Sequence, residues 1–234
     1  MSQRSKKAIK ILLVGSTGRM GQEILALVKT SKEFKCTYQM SSQNSAWSDV
    51  DAKNIDIVID FSSPHAFTEA LRWTTQHKKA FLSGTTGLSE AQFRQLKSSA
   101  KKIPVLWASN MSLGIAVLRL FMANMAPLNK WQFQIEEAHH RHKKDKPSGT
   151  ALTLQSDLSA AVGKKLPPII SIRGGGVPGI HKISARSADE VITIEHTAIN
   201  RRVFARGALV AARWLFDKKR AGLYDLGNIQ VARN

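Results

Sequence analysis

The stretch Ala8-Ile9-Lys10-Ile11-Leu12-Leu13-Val14-Gly15-Ser16-Thr17-Gly18-Arg19-Met20-Gly21 decides the architecture of the chain. Its first seven residues, apolar except for Lys10, read as a strand buried on both faces, the pattern of a parallel sheet. The strand runs into Gly-x-x-Gly-x-x-Gly, and the residues beyond it place Ile24, Leu25 and Val28 on one helical face. Strand, glycine loop and helix in that order give the glycine spacing its meaning. The first glycine allows a tight turn, the second lets backbone approach a pyrophosphate, and the third lets helix and strand pack closely. The spacing differs from the commoner Gly-x-Gly-x-x-Gly, and a plain glycine turn is the alternative at this point.

Working outward, Phe34–Met40 reads as a second strand. A ribose-binding Asp or Glu belongs near its end, about twenty residues after the first glycine. The chain instead reads Ser41-Ser42-Gln43, with no acid before Asp49. A missing carboxylate removes a repulsion against a 2′-phosphate, and Arg19 and Lys35 stand nearby to attract one. This favours NADPH; serines that simply bond the ribose are the alternative. Strands follow at 55–62, 80–83 and 104–108, with helices at 64–77 and 88–102 between them. Gly15, Gly84 and Ser109 put small or polar residues at three strand ends, where doubly wound sheets place ligands. The β–α alternation argues for an α/β fold with a parallel sheet.

Leu113–Ala126 is apolar nearly all round and predicts a buried helix bridging two lobes. Trp131–Ala138 reads as a strand, Ile169–Arg173 follows Leu166-Pro167-Pro168, and Ile180–Ser187 and Glu190–Ala198 read as strands in a second sheet; helices are expected at 149–162 and 203–218, the latter turning Val210, Trp214 and Leu215 inward. Gly174–Gly179 is glycine-rich and reads either as a mobile lid or as a long turn.

Between strand 131–138 and helix 149–162 lies Glu136-Glu137-Ala138-His139-His140-Arg141-His142-Lys143-Lys144-Asp145-Lys146-Pro147-Ser148-Gly149-Thr150. Cations this dense repel one another, so the run is a solvated loop or the seat of an anion. Its histidines move protons near neutral pH, and Pro-Ser-Gly-Thr reads as a helix N-terminus, a natural anion site. A cluster that both donates protons and holds carboxylates points to an enzyme acting on a small acidic substrate.

The chain has 234 residues, 43% of them hydrophobic, and a net charge of +18. That charge permits nucleic-acid binding. The cations are scattered, however, and neither zinc-finger spacing nor an aromatic-basic RNA signature is present, so no specific nucleic-acid partner is expected. Cys36 is the single cysteine, which rules out an intrachain disulfide and a Cys-rich metal site. It also sits in a strand context beside the cofactor half, unsuited to the nucleophile of a semialdehyde dehydrogenase. The lysines and arginine of the basic run oppose a cation, and no metal is expected. The basic start Met1–Lys7 leads into an apolar run too short and too interrupted for a signal peptide, and no run reaches transmembrane length. A cytoplasmic protein with no membrane partner is expected.

Together these residues resemble the 4-hydroxy-tetrahydrodipicolinate (dihydrodipicolinate) reductase family over most of the chain. The resemblance rests on Gly-x-x-Gly-Arg-Met-Gly at 15–21, Gly-Thr-Thr-Gly at 84–87, Ser-Asn-Met-Ser at 109–112, Glu-Ala-His-His-Arg-His-Lys at 137–143 and Pro-Ser-Gly-Thr at 147–150. It implies a Rossmann-like domain (1–112 and 202–234) and an α+β substrate and oligomerisation domain with a mixed sheet (113–201). It implies that Gly15, Ser16, Thr17, Gly18, Arg19 and Met20 hold the phosphates of NADPH or NADH. Gly84, Thr85 and Thr86 would lie near the nicotinamide ribose and ring, and Ala108, Ser109, Asn110 and Met111 at the carboxamide. His139 would be the acid/base and Lys143 the proton donor, with His140, Gly149 and Thr150 on the carboxylates of a small dicarboxylate substrate. Arg201 would match a family arginine near the active site. Two departures stand out. The acid after strand two is missing, and the segment 180–201 looks about one hairpin short, which leaves a homo-oligomer that is either tetramer or dimer. The competing readings are another small Rossmann reductase such as an amino-acid dehydrogenase, and a basic nucleic-acid-binding or NADPH-sensing protein.

Overall fold

The computed structural model describes residues 7–44 and 46–229, so the residues before Lys7 and the last five lie outside it. The described residues divide into two compact units, one within 7–111 and 204–229 and the other within 112–203.

The first unit carries strands β1 Ile9–Val14, β2 Phe34–Met40, β3 Ile57–Asp60, β4 Ala80–Ser83, β5 Pro104–Trp107 and, late in the chain, β10 Gly222–Tyr224. All pair in parallel, in the order β10-β5-β4-β3-β1-β2. β1, β3 and β4 are buried nearly throughout, as central parallel strands must be. Strand order reverses at β1, with β2 on one side and β3 on the other, which makes the C-terminal ends of β1 and β3 the topological switch point. Helices α1 Arg19–Lys29, α2 Pro64–Gln76 and α3 Glu90–Ala100 link these strands. Ser63 caps α2 ahead of Pro64, and Ser89 with Gln92 forms a capping box on α3. β10 has no counterpart in the sequence expectations: three half-exposed residues carry too little period to announce a strand, and pairing with β5 creates it.

The second unit is a four-stranded mixed sheet of β6 Gln132–His139, β7 Ile170–Arg173, β8 Gly179–Arg186 and β9 Val191–Ala198, ordered β7-β6-β8-β9. β7 runs parallel to β6, and the other pairs are antiparallel. Helices α4 Leu113–Ala123 and α5 Gly149–Val162 supply Ile115, Leu118, Met122, Leu154 and Leu158 to a core that Phe133, Ile135 and Ile183 complete from the sheet. The segment read as shortened still pairs eight residues of β8 with eight of β9.

Two expectations need correction. α4 is not buried all round: Ile115, Ala116, Leu118 and Met122 are covered, whereas Val117, Leu120 and Phe121 are 38%, 55% and 56% exposed. A helix lying on one face of a sheet has only one side to bury. In α6, Arg202–Lys218, Val210 is 44% exposed, and the covered side is made of Ala205, Gly207, Ala208, Ala211, Ala212 and Leu215. Small residues let this helix pack close, so the bulkier valine is left outside.

Candidate active site

In the first unit β1 delivers Gly15 at φ +83°, where a Cβ would stand 2.3 Å from the Phe61 carbonyl oxygen. Only glycine fits there. A Cβ on Gly21 would fall 2.2 Å from the Gly15 oxygen and 2.7 Å from that of Ser16, so α1 sits directly on the loop backbone. The loop is pinned to the end of β2: the Gly15 and Ser16 amides and the Ser16 hydroxyl all donate to the Met40 carbonyl, at 2.9, 3.0 and 3.1 Å. Gly18 begins α1 with no side-chain cap, and no acidic residue occupies the first turn. That is the condition in which a helix end accepts an anion.

Beside the loop, at the switch point, lies a cavity of 480 Å³ lined by Gly15, Thr17, Gly18, Ser41, Ser42, Trp47, Phe61 and His65, among others. A glycine cradle, an uncapped helix end and an aromatic wall fit the phosphate and adenosine portions of a dinucleotide. Of the cofactor residues expected from sequence, Gly15, Thr17 and Gly18 line this space. Ser16 is buried, Arg19 is exposed and Met20 half-buried at the start of α1. Trp47, His65 and Glu69, which also line it, were not picked out by sequence reading.

Gly84, Thr85 and Thr86 follow β4. A Cβ on Gly84 would meet the Phe61 ring at 2.2 Å, and Thr85 is buried while Thr86 is exposed. Ala108, Ser109 and Asn110 are half-buried after β5, and Met111 is buried. Beneath these strand ends lies a residue that sequence reading missed. Asp60 is fully buried and accepts from the hydroxyls of Ser62, Ser83 and Thr85 at 2.5, 2.8 and 2.8 Å and from the Ser62 amide at 3.1 Å. Burial pushes its carboxyl up, and the hydrogen bonds only partly oppose this. Asp60 therefore joins the ends of β3 and β4 and orients Thr85. Two of its partners are 23 and 25 positions away, so no local spacing reveals the group.

In the second unit the cationic run is not uniformly a solvated loop. Its first four residues are strand, and Glu137 and His139 face the interior, 1% and 6% exposed. Nδ1 of His139 meets Oε2 of Glu137, and Arg173 grips both Glu137 oxygens at 2.8 and 2.7 Å. The His181 ring stands edge-on to His139 at 5.2 Å. Lys143, in the turn that follows, pairs with Asp145 at 2.8 Å, and the Gly149 amide donates to the same carboxylate at 3.4 Å. Ser148 caps α5 through the Ala151 amide, while its own amide donates to Glu137. His140 is half-buried, its amide held by the Val177 carbonyl, and Thr150 lies half-buried in the first turn of α5. Strand end, turn and helix start thus bring His139, His140, Lys143, Gly149 and Thr150 into one segment. Glu137 was legible in principle, because the period-two burial of β6 sets it beside His139; Arg173 and His181 come from other strands. Among the described residues no group of three or more His, Cys, Asp or Glu is arranged to hold a metal ion, and no helix is long and apolar enough to cross a membrane.

Burial pushes the Glu137 carboxyl up, but the Arg173 fork and the His139 bond outweigh it and hold it at about 2, against an ordinary 4.5. Burial pushes His181 down from 6.5 to about 4, and lowers His139 despite the upward pull of Glu137. For His181 the unfolded chain takes up a proton that the fold refuses, so stability falls as pH drops from 6.5 towards 4. For Glu137 the charged form is favoured in the fold, so its contribution is present above 4.5 and lost as pH falls towards 2. Denaturant unfolding across this range should show both losses, and His181→Phe should flatten the upper one. A wild-type stability unchanged from pH 7 to pH 4 would contradict the buried neutral His181.

Comparison with known sequences resolves the family. The sequence profile described as dihydrodipicolinate reductase, N-terminus, matches residues 9–111, and its C-terminus counterpart matches residues 114–229. The chain belongs to the dihydrodipicolinate reductase family. The 4-hydroxy-tetrahydrodipicolinate reductase of Bdellovibrio bacteriovorus is 48% identical over 97% of this chain and 99% of its own length. That of Xanthomonas euvesicatoria is 39% identical over 95% of this chain and 98% of its own. Among solved structures, dipicolinate-bound dihydrodipicolinate reductase from Paenisporosarcina sp. TG-14 superposes with a TM-score of 0.77 at 20% identity, covering 95% of this chain and all of that one. The family's C-terminal profile reaches past the second unit, because α6 and β10 return to the Rossmann-like sheet. The first unit is thus the family's nucleotide-binding fold, and the second is its mixed-sheet partner.

Proposed function

We propose that this chain reduces 4-hydroxy-tetrahydrodipicolinate to tetrahydrodipicolinate with NADPH or NADH, with loss of water, in lysine and diaminopimelate biosynthesis. The observation that carries the reading is the 48% identity, nearly end to end, to a protein of that name. The site supplies matching chemistry. A hydride and a proton enter and one water leaves; the reduced nicotinamide supplies the hydride. Gly15, Ser16, Thr17, Gly18, Arg19 and Met20 hold the dinucleotide phosphates, and Gly84, Thr85, Thr86, Ala108, Ser109, Asn110 and Met111 its nicotinamide half. His140, Gly149 and Thr150 bind the two carboxylates and orient the ring. Lys143 donates the proton that balances the added hydride, and His139 serves as acid/base. The surrounding fixed cations stabilise negative charge that develops on the acceptor. The unit of residues 1–111 and 204–234 acts as the dinucleotide-binding domain and 112–203 as the substrate domain.

A solved relative of the same fold holds dipicolinate, a ring with two carboxylates, which supports a small dicarboxylate as the ligand here. The outer face of the mixed sheet leaves Ile170, Ile172 and Val191 48%, 52% and 53% exposed, which supports a homo-oligomer, dimer or tetramer, formed through it. The protein acts in the cytoplasm. The decisive assay follows NADPH oxidation with the freshly generated product of dihydrodipicolinate synthase; no oxidation above the substrate-free rate would end the proposal.

NADPH should support at least as high a kcat/KM as NADH. Ser41 and Ser42 line the cavity where an acid would repel a 2′-phosphate, although Glu69 lines it too. A strong preference for NADH in steady-state kinetics would overturn the reading of the strand-two end.

A further inference from the structure

The proton chemistry assigned to the cationic run depends on a pair that sequence reading left out of the site. Arg173, at the end of β7, meets Glu137 of β6 through two parallel bonds, with side chains 13% and 0% exposed. Fork-to-fork pairs of this kind are strong and directional, and removing one partner strands the other charge out of water. The pair reaches in two directions. Through Glu137 it holds His139 Nδ1 and the Ser148 amide at the start of α5. Through Arg173 Nη2 it holds the Asp145 carbonyl at 2.6 Å, and the Asp145 carboxylate holds Lys143 at 2.8 Å.

A carboxylate only accepts hydrogen bonds, so the nitrogen of His139 facing Glu137 carries the proton. The other nitrogen, Nε2, faces Gly179, where a Cβ would stand 2.9 Å away; the glycine keeps side-chain atoms off it. The groups facing His139 are Glu137 on its own strand, Arg173 from β7, His181 from β8 and Lys143 from the next turn. Glu137 is the one carboxylate among them.

We propose that the Arg173–Glu137 pair is a positioning element: it holds His139 as the Nδ1–H tautomer with Nε2 as the reactive nitrogen, and sets the Lys143 turn in register with α5. In assigning His139 and Lys143 to the reaction this rests on the function proposed above; the tautomer does not. Withdrawing the carboxylate charge removes the group that favours the imidazolium, so His139 should then take a proton only at lower pH.

The test uses the full-length chain as wild type, Glu137→Gln, Arg173→Met and Arg173→Lys. Glu137→Gln and Arg173→Met are expected to lower kcat on the order of 10²-fold, the scale seen when a catalytic imidazole loses its orienting carboxylate being larger still. The KM for the dinucleotide should stay within about twofold, since the groups altered lie outside the nucleotide loop. The acid inflection of kcat should move to lower pH in Glu137→Gln, and Arg173→Lys should recover part of the loss by keeping the charge. In parallel, ¹⁵N spectra of the histidine rings should show His139 as the Nδ1–H tautomer in the wild type and as a mixture in Glu137→Gln. An Nε2–H tautomer in the wild type overturns the proposal. So does Glu137→Gln with wild-type kcat and pH profile or, if that variant does not fold, Arg173→Met with both unchanged. A wild type that fails to reduce the substrate but shows the Nδ1–H tautomer removes the reaction and leaves the pair's hold on His139 standing.

Discussion

His139→Asn and Lys143→Ala are each expected to lower kcat by about 10²–10⁴-fold, the usual contribution of a positioned general acid or base. Both groups have geometry that a mere surface cation lacks. His139 is 6% exposed, bonded to a carboxylate at one nitrogen and fenced by a glycine at the other. Lys143 keeps a quarter of its side chain exposed and is held by Asp145 in a turn of the same short segment. The stability cost of Lys143→Ala should be small, about 1 kcal/mol or less, because a partly exposed ion pair contributes little. Asn at 139 retains a donor for Glu137, so that variant should fold. Steady-state rates beside thermal melts separate the two effects. Near-wild-type turnover in both variants would take the acid/base role away from this segment and send the search to other cations.

Gly21→Ala is expected to disable the nucleotide loop. The added methyl would stand 2.2 Å from the Gly15 oxygen and 2.7 Å from the Ser16 oxygen, and both obstacles are backbone, with no flexible side chain to swing aside. Either α1 lifts off the loop or the loop shifts, and overpacking of this kind costs about 1–3 kcal/mol or more. The same displacement breaks the bonds from Gly15 and Ser16 to Met40 that shape the cradle. Dinucleotide affinity, read by titration of protein fluorescence with NADPH, should fall by at least about tenfold, a loss of roughly 1.4 kcal/mol. A variant that melts and binds like the wild type would mean that α1 is not seated on the loop as described. Gly176→Ala is a useful contrast, since a Cβ there meets nothing within 4 Å.

Much of the architecture was legible because its signals are local. A buried strand, the glycine loop it feeds and an apolar helical face can be read within residues 8–28, and β1, the loop and α1 stand where that reading put them. Ser148 caps α5 at the helix start that the sequence announced; Ser63 and Ser89 cap α2 and α3 in the same way, through side chains that reach three residues ahead, although neither was singled out as a cap. The run from His139 to Thr150 was visible as a dense cluster of one chemical kind. Where the expectations failed, the cause was a partner that periodicity does not name. α4 looks buried from its composition, yet Val117, Leu120 and Phe121 stay exposed on the side that α5 and the sheet do not cover. Val210 looks like a core residue, yet small residues on the opposite side of α6 make the closer contact. Three residues of β10 have no strand character until β5 pairs with them.

The sequence by itself determined that this protein would build a parallel sheet with a glycine-lined nucleotide loop, and that a proton-bearing cationic segment would end at a helix start. Each follows from residues adjacent in the chain, where backbone geometry and side-chain spacing act directly. Only the tertiary structure decided which charges are buried and in what state they are held. Arg173 comes from another strand to keep Glu137 ionised beside His139, and Ser83 and Thr85 arrive from β4 to satisfy Asp60. The physical reason is that a charge out of water is tolerable only with its hydrogen-bond partners in place, and here those partners are brought by the pairing of strands far apart in sequence.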